Sequence, residues 1–226
     1  MHAHSRWLVS LSSLIVLTAF CAVITLPASP ALPVLAGASP FIEEQVYLDS
    51  RNARISLPVV YGFGSQDDYI NAELYQMLGV HEVLQFVEGA RSSRWNALFR
   101  YNAYEIGNAF YISAVRYMTD GSGAPIEQYA DAYLDTRNGD LYTWRNLFVD
   151  PIEAISFMGI CTGQAGQVPQ AVFCDGNGVR VRYADQREYT LSLNTLYDYF
   201  DRNGALYQAL IAETAKEVDE ERRIVL

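Results

Sequence analysis

The chain has 226 residues, 50% hydrophobic, 13% aromatic and 19% charged, with a formal charge of −10 from 16 basic and 26 acidic side chains. That length can bury an ordinary core in one domain, and the acidic balance argues against nucleic-acid binding, which calls for a basic face. Three histidines and a single lysine, Lys216, against 16 tyrosines leave little material for histidine or metal chemistry.

The chain opens with Arg6 and no acid, followed by an uncharged apolar run over 7–26. Pro27, Pro30 and Pro33 come next, then Ala36-Gly37-Ala38. Small residues at the first and third of these positions fit signal-peptidase cleavage before Ser39, so 1–38 reads as a signal peptide. The run is also long enough to stay as an uncleaved anchor. Either way the remainder is expected outside the cytoplasm, secreted or held to the membrane through this segment alone. Beyond residue 38 there are 15 basic and 26 acidic side chains, a net charge of −11. Cys21 falls in the export segment, leaving Cys161 and Cys174. An even pair in an oxidising compartment predicts a Cys161–Cys174 disulfide, worth about 3 kcal/mol in the chain-entropy picture. Two unrelated buried thiols are the alternative.

Residues 39–52 read as a short lead, and 53–226 as one α+β domain. The stretch 53–61 (ARISLPVVY) alternates and is β-rich, which predicts a strand. Asp67 and Asp68 offer an N-cap for a helix. Ile70, Leu74, Met77, Leu78, His81, Leu84 and Val87 follow at helical spacing, and Gly89 ends it. Segments 98–106 and 109–118 flank Gly107-Asn108 as a hairpin, and 127–135 adds a third strand after the glycine-rich turn 120–124. Asn138-Gly139 makes another tight turn. The three strands predict an antiparallel meander packed against a few helices. Asp150-Pro151 starts a helix, because proline is tolerated at the first helical position. Segments 171–173 and 179–183 form a hairpin around 175–178, and 189–193 is a further strand. Asn194 can cap a short helix through Phe200. Gly204 precedes a last helix from Ala205 to about Arg223.

The search for catalytic chemistry returns little. His81 lies in the apolar stripe of its helix and reads as a core or half-buried histidine. One histidine after residue 38 excludes a zinc site of several histidines, and no metal or cofactor is implied. No G-x-S-x-G elbow and no Walker loop occur. Asp131 and Asp135 lie four apart on one strand and therefore point to one face. A glycosidase needs two carboxyls at a defined separation, while a solvated strand edge explains this pair more simply. Asp175-x-Asn177 opens like a calcium loop, but Gly178 and Val179 break the pattern. Segment 135–140 (DTRNGD) reads as turn chemistry. The tyrosines are the best indication of binding, because an apolar ring with a polar tip suits interfaces. Tyr111, Tyr117, Tyr129, Tyr133 and Trp144 are the candidate ligand-binding residues, with Trp95 as a further platform. A tyrosine-rich core is the alternative.

The order of these segments resembles a known extracytoplasmic module. RISLPVV at 54–60 followed by DYIN at 68–71 resembles its "yPvi…iN" opening, and FYISAVRY at 110–117 its "iSi…y" strand. YADAYLDTRNGDLYTWRNLF at 129–148 is similar to "n.D..tG…tL.dlF", with Asp135, Gly139, Thr143, Leu147 and Phe148 in place. Segments 173–183 and 191–196 resemble the later half, so the likeness covers most of 53–200. The pattern is that of the extracytoplasmic domain of RsiV-type anti-sigma factors and of the module preceding the catalytic domain in PdaC-type peptidoglycan deacetylases.

This resemblance implies an α+β domain facing the bacterial cell envelope; in RsiV-type proteins it senses lysozyme by binding it. The family's "GGAH" turn appears as Gly121-Ser122-Gly123-Ala124-Pro125, so no role of that histidine carries over. Six residues precede the apolar run, and the deacetylase metal-binding histidines do not occur, so neither anti-sigma nor deacetylase activity carries over. The expectation is a non-enzymatic envelope module that binds a macromolecule. A basic protein such as lysozyme suits the −11 charge, because complementary charge steers encounter. Peptidoglycan glycan is the second candidate ligand. The competing class is a carboxylate-dependent cell-wall hydrolase.

Overall fold

The computed structural model describes residues 39–90 and 94–211. The export segment 1–38, Cys21 within it, and the expected last helix past residue 211 lie outside the described residues. Strand β1 (Phe41–Asp49) pairs antiparallel with β2 (Ala53–Tyr61), Phe41 opposite Tyr61 and Asp49 opposite Arg54. The expected lead 39–52 is therefore a strand. It is an edge strand, mostly exposed, with Glu43 and Glu44 on it and a bulge between Val46 and Leu48. Charges and bulges are how edge strands resist further pairing, and they also blur the alternation that marks a strand.

A short 3-10 turn at 64–66 leads into α1 (Asp67–Leu78), and α2 (Val80–Gly89) follows after Gly79. The single helix expected over 67–89 is thus two. Gly79 adopts φ 68° and closes α1 as a left-handed C-cap. A side chain there would also overlap the Arg116 guanidinium, which donates to the Gly79 carbonyl at 3.2 Å. The break resets the helical register. Val80 and Val83 face the core, while His81 is exposed rather than buried as its spacing implied. Asp67 and Asp68 are not N-caps either; that place belongs to Gln66. The Asp67 carboxylate instead accepts from the Phe63 amide at 2.7 Å, bracing the loop before the helix.

Strand β3 (Asn96–Ile106) runs parallel to β2, with Ala53 opposite Ala97; the two helices supply the crossover a parallel pair needs. Strands β4 (Ala109–Thr119), β5 (Ile126–Asp135) and β6 (Leu141–Tyr142) then continue antiparallel. The expected three-strand meander is thus the middle of a six-stranded mixed sheet, ordered β1 to β6. Helix α3 (Pro151–Thr162) starts as expected, with the Asp150 carboxylate accepting from the Ile152 amide at 2.8 Å. A three-stranded antiparallel sheet follows: β7 (Ala171–Asp175), β8 (Gly178–Arg182) and β9 (Glu188–Leu191). The chain then forms α4 (Leu193–Leu196), capped by Ser192 rather than Asn194, and α5 (Ala205–Ile211). The described residues have the α+β architecture expected of the sequence.

Two cores hold these layers. In one, Ile55, Leu57, Phe99 and Ile112 from the large sheet pack on Ile70, Leu74 and Val83 of α1 and α2. In the other, Val172, Val179 and Val181 of the small sheet pack with Leu147, Met158, Leu196 and Leu210. The disulfide expectation is corrected here. Cys161 is an exposed free thiol on α3, and Cys174 is a free thiol fully buried beneath the small sheet. One points to solvent and the other inward, and burial pushes the Cys174 thiol well above its usual range.

Candidate functional site

Alternation along the large sheet separates two faces. Phe110, Ile112, Ala114, Arg116 and Met118 of β4 face α1 and α2. Tyr111, Ser113, Val115 and Tyr117 face the other way, and the register sets Tyr111 opposite Tyr104 and Tyr133, and Ser113 opposite Asn102 and Asp131. This second face is the tyrosine face. The small sheet lies against one half of it, where Tyr111 and Tyr133 are buried, while Val115 and Tyr117 on the other half are half-buried.

The junction makes a groove. Asn102 and Tyr104 of β3 and Tyr111 and Ser113 of β4 form its floor. Ala171, Phe173, Arg180 and Arg182 of the small sheet form its wall, with Glu188 at the rim, around a cavity of about 210 Å³. The aromatic rings interlock: Tyr104 lies 6.5 Å from Tyr111, and Phe173 meets Tyr111 edge-on at 4.8 Å. The two arginines are held by ring faces. Arg180 sits 4.0 Å above Phe173, and Arg182 4.5 Å above Tyr129. The Tyr129 hydroxyl donates to Glu127 at 2.5 Å, which fixes the ring beneath Arg182.

Edge strand β7 is closed by side chains rather than by another strand. The Tyr133 hydroxyl donates to the Val172 carbonyl at 2.8 Å and accepts from the Cys174 amide at 3.0 Å. The Asp131 carboxylate accepts from the Val172 amide at 3.3 Å and from the Tyr111 hydroxyl at 3.4 Å. Two residues of β5 thus satisfy the buried edge of β7, which would otherwise lose its hydrogen bonds. Burial outweighs these donors and the nearby Arg182 charge, raising the Asp131 carboxyl to about 6. Asp131 is accordingly no solvated strand edge. Neither is Asp135: it is fully buried, and Arg137 holds it with Nη2 at 2.5 Å. The two carboxyls do not share a cleft. Asp131 ties the sheets together, and Asp135 anchors the 135–140 turn, where the Gly139 amide donates to its carbonyl.

The five candidate ligand-binding residues divide accordingly. Tyr111 floors the groove, Tyr129 supports Arg182, and half-buried Tyr117 lies further along the same face. Tyr133 is fully buried, and Trp144 sits in the second core against Phe148; neither meets the groove. Trp95 is half-buried against the first core. Tyr104, Phe173, Arg180 and Arg182 belong to the groove and stand outside the sequence-based set. Alternation around the 175–178 hairpin places Arg180 and Arg182 on its polar face, but nothing local says that Phe173 joins them opposite Tyr104.

The motif residues behind the family resemblance are structural. Asn71 brackets the end of β2, accepting from the Val60 amide at 2.7 Å and donating to its carbonyl at 2.9 Å. Thr143 and Asn146 form a reciprocal cap, and Leu147 and Phe148 are core. Among the described residues no group of three or more His, Cys, Asp or Glu side chains is placed to hold a metal. No helix among them is long and apolar enough to cross a membrane.

By sequence the chain matches no family model and no curated protein. By structure it is similar to a DUF3298 family protein from Pseudomonas aeruginosa PAO1, with TM-score 0.50 and 11% identity over 73% of this chain and 94% of that one. A DUF3298 family member from Bacteroides fragilis NCTC 9343 matches at TM-score 0.41 and 10% identity, over 71% and 92%. The first likeness establishes a shared fold with a domain of unknown function.

Proposed function

We propose that the protein is a non-enzymatic, extracytoplasmic cell-envelope module that binds cell-wall glycan in the groove between the two sheets. The observation that carries this reading is the aromatic cluster of Tyr104, Tyr111 and Phe173 beside Asn102, Ser113 and two arginines. Sugar rings offer apolar C–H faces to aromatic rings and hydroxyls to polar side chains, and a mostly preformed groove with a few placed polar groups suits them. The export segment and the RsiV-type and PdaC-type resemblance support the location. A basic protein such as lysozyme matches the net charge of −11, but the groove itself presents Arg180 and Arg182, which repel a cationic partner there.

Calorimetric titration of the full chain with soluble peptidoglycan oligosaccharides, and separately with lysozyme, tests the reading. Glycan binding that Tyr104→Ala weakens by about tenfold is expected. Lysozyme binding without glycan binding would replace the glycan by a protein partner. One feature favours the hydrolase alternative: burial raises the Asp131 carboxyl to about 6, the direction a general acid requires. Reducing-end release from peptidoglycan that Asp131→Asn abolishes would establish that activity. The binding reading expects none.

A further inference from the structure

Two arginines, Arg180 and Arg182, line the groove. Arg182 lies over Tyr129 and Arg180 over Phe173, so each guanidinium spends its face on a ring and keeps its N–H groups in the plane. Arg182 Nε is buried, and no acceptor among the described residues meets it. Arg116 Nε in the first core shares this property, so it is the remaining N–H groups of the two groove-lining arginines, not the buried Nε, that a ligand can meet. Arg180 also makes a loose ion pair with Glu188 at 3.8 Å, both side chains about half exposed and the distance too long for a hydrogen bond.

We propose that Arg182, assisted by Arg180, is a carboxylate-binding site, so the glycan taken by this groove carries a carboxylate. This rests on the glycan-binding reading above and names its ligand class. A guanidinium edge matches a planar carboxylate in bidentate fashion. In cell-wall glycan the carboxylate comes from the lactyl ether of muramic acid or from the peptide attached to it.

The test is calorimetric titration of the full chain with the N-acetylglucosamine–N-acetylmuramic acid disaccharide, its methyl ester, and the same disaccharide carrying a short peptide. The free acid should bind about tenfold or more tighter than the ester, and Arg182→Gln should remove that difference, while Arg182→Lys, lacking the fork, should not restore it. Tighter binding of the peptide-bearing disaccharide than of the free acid assigns the carboxylate to the peptide, and the reverse assigns it to the lactyl group; both support the site. Equal affinity of acid and ester, together with no tighter binding of the peptide-bearing disaccharide, would overturn the carboxylate site while leaving glycan binding intact. No binding of any of the three would overturn both. The acid–ester comparison uses the unaltered protein, so a misfolded variant cannot obscure the outcome.

Discussion

The two faces of the six-stranded sheet are built from the same strands and close in different ways. On the helix side, Phe99, Ile112, Ala132 and Leu134 meet the aliphatic side chains of α1 and α2, and the layer is apolar apart from Arg116. On the tyrosine side, the small sheet is held to β5 by hydroxyl and carboxylate bonds to a strand edge, and beyond that contact Val115, Tyr117 and Tyr129 stay half-buried among the described residues. Apolar contact is undirected and fills the whole interface, whereas hydrogen bonds fix two layers at a few points and leave space beside them. The groove is a consequence of that second kind of closure.

Substitutions can break or sharpen this contrast. The largest effect should come from the helix side: Phe99→Ala is expected to cost about 3–5 kcal/mol in chemical denaturation, with ligand affinity of the folded fraction unchanged. Tyr133→Phe changes one atom on the tyrosine side and strands the Val172 carbonyl and Cys174 amide. A loss of about 2–4 kcal/mol is expected, and a loss under about 0.5 kcal/mol would mean these groups are satisfied without the hydroxyl.

Asp131 gives a pH signature. Its carboxyl rises from 3.8 to about 6 in the fold, so the native state holds the proton more tightly than the unfolded chain. Its contribution to stability is complete below about pH 4 and is lost as the pH rises through about 6. Asp131→Asn does not titrate there. Denaturation series should therefore show the variant gaining about 2–3 kcal/mol on the parent between about pH 4 and pH 7. A difference that stays flat with pH would contradict a buried, disfavoured carboxylate. The smallest stability effect belongs to the groove: Tyr104, 52% exposed, should lose under about 1 kcal/mol on replacement by alanine, although glycan affinity falls about tenfold.

Elements with strong local signals were legible in the sequence. Strand β2 has the predicted bounds, the Gly107-Asn108 and Asn138-Gly139 turns lie where expected, and Asp150-Pro151 opens α3. These depend on backbone preferences that a few neighbouring residues carry. The structure departs from the sequence pattern where a distant contact makes the decision. The helical stripe continued through Gly79, so the sequence pattern could not register the break that Arg116 of β4 occupies, and His81 was placed inside. Edge strand β1 buries too little to alternate. Cys161 and Cys174 met the counting rule for a disulfide, but one is on an exposed helix face and the other under a sheet.

The candidate site was half legible for the same reason. Alternation puts Tyr111 with Tyr117 on one face of β4 and Tyr129 with Tyr133 on one face of β5, because a period of two needs no tertiary information, while the register that joins the two pairs is set by strand pairing. It cannot show which half of that face a second sheet covers. Only the docking of β7 makes Tyr133 a buried clasp, leaves Tyr111 as a floor, and brings Phe173, Arg180 and Arg182 from some seventy residues away to complete the groove. Composition likewise gives an acidic chain of −10, which argues against a nucleic-acid surface, yet the groove is lined by two arginines. Net charge is a sum over the whole surface, while a ligand meets only the groups that folding gathers around it.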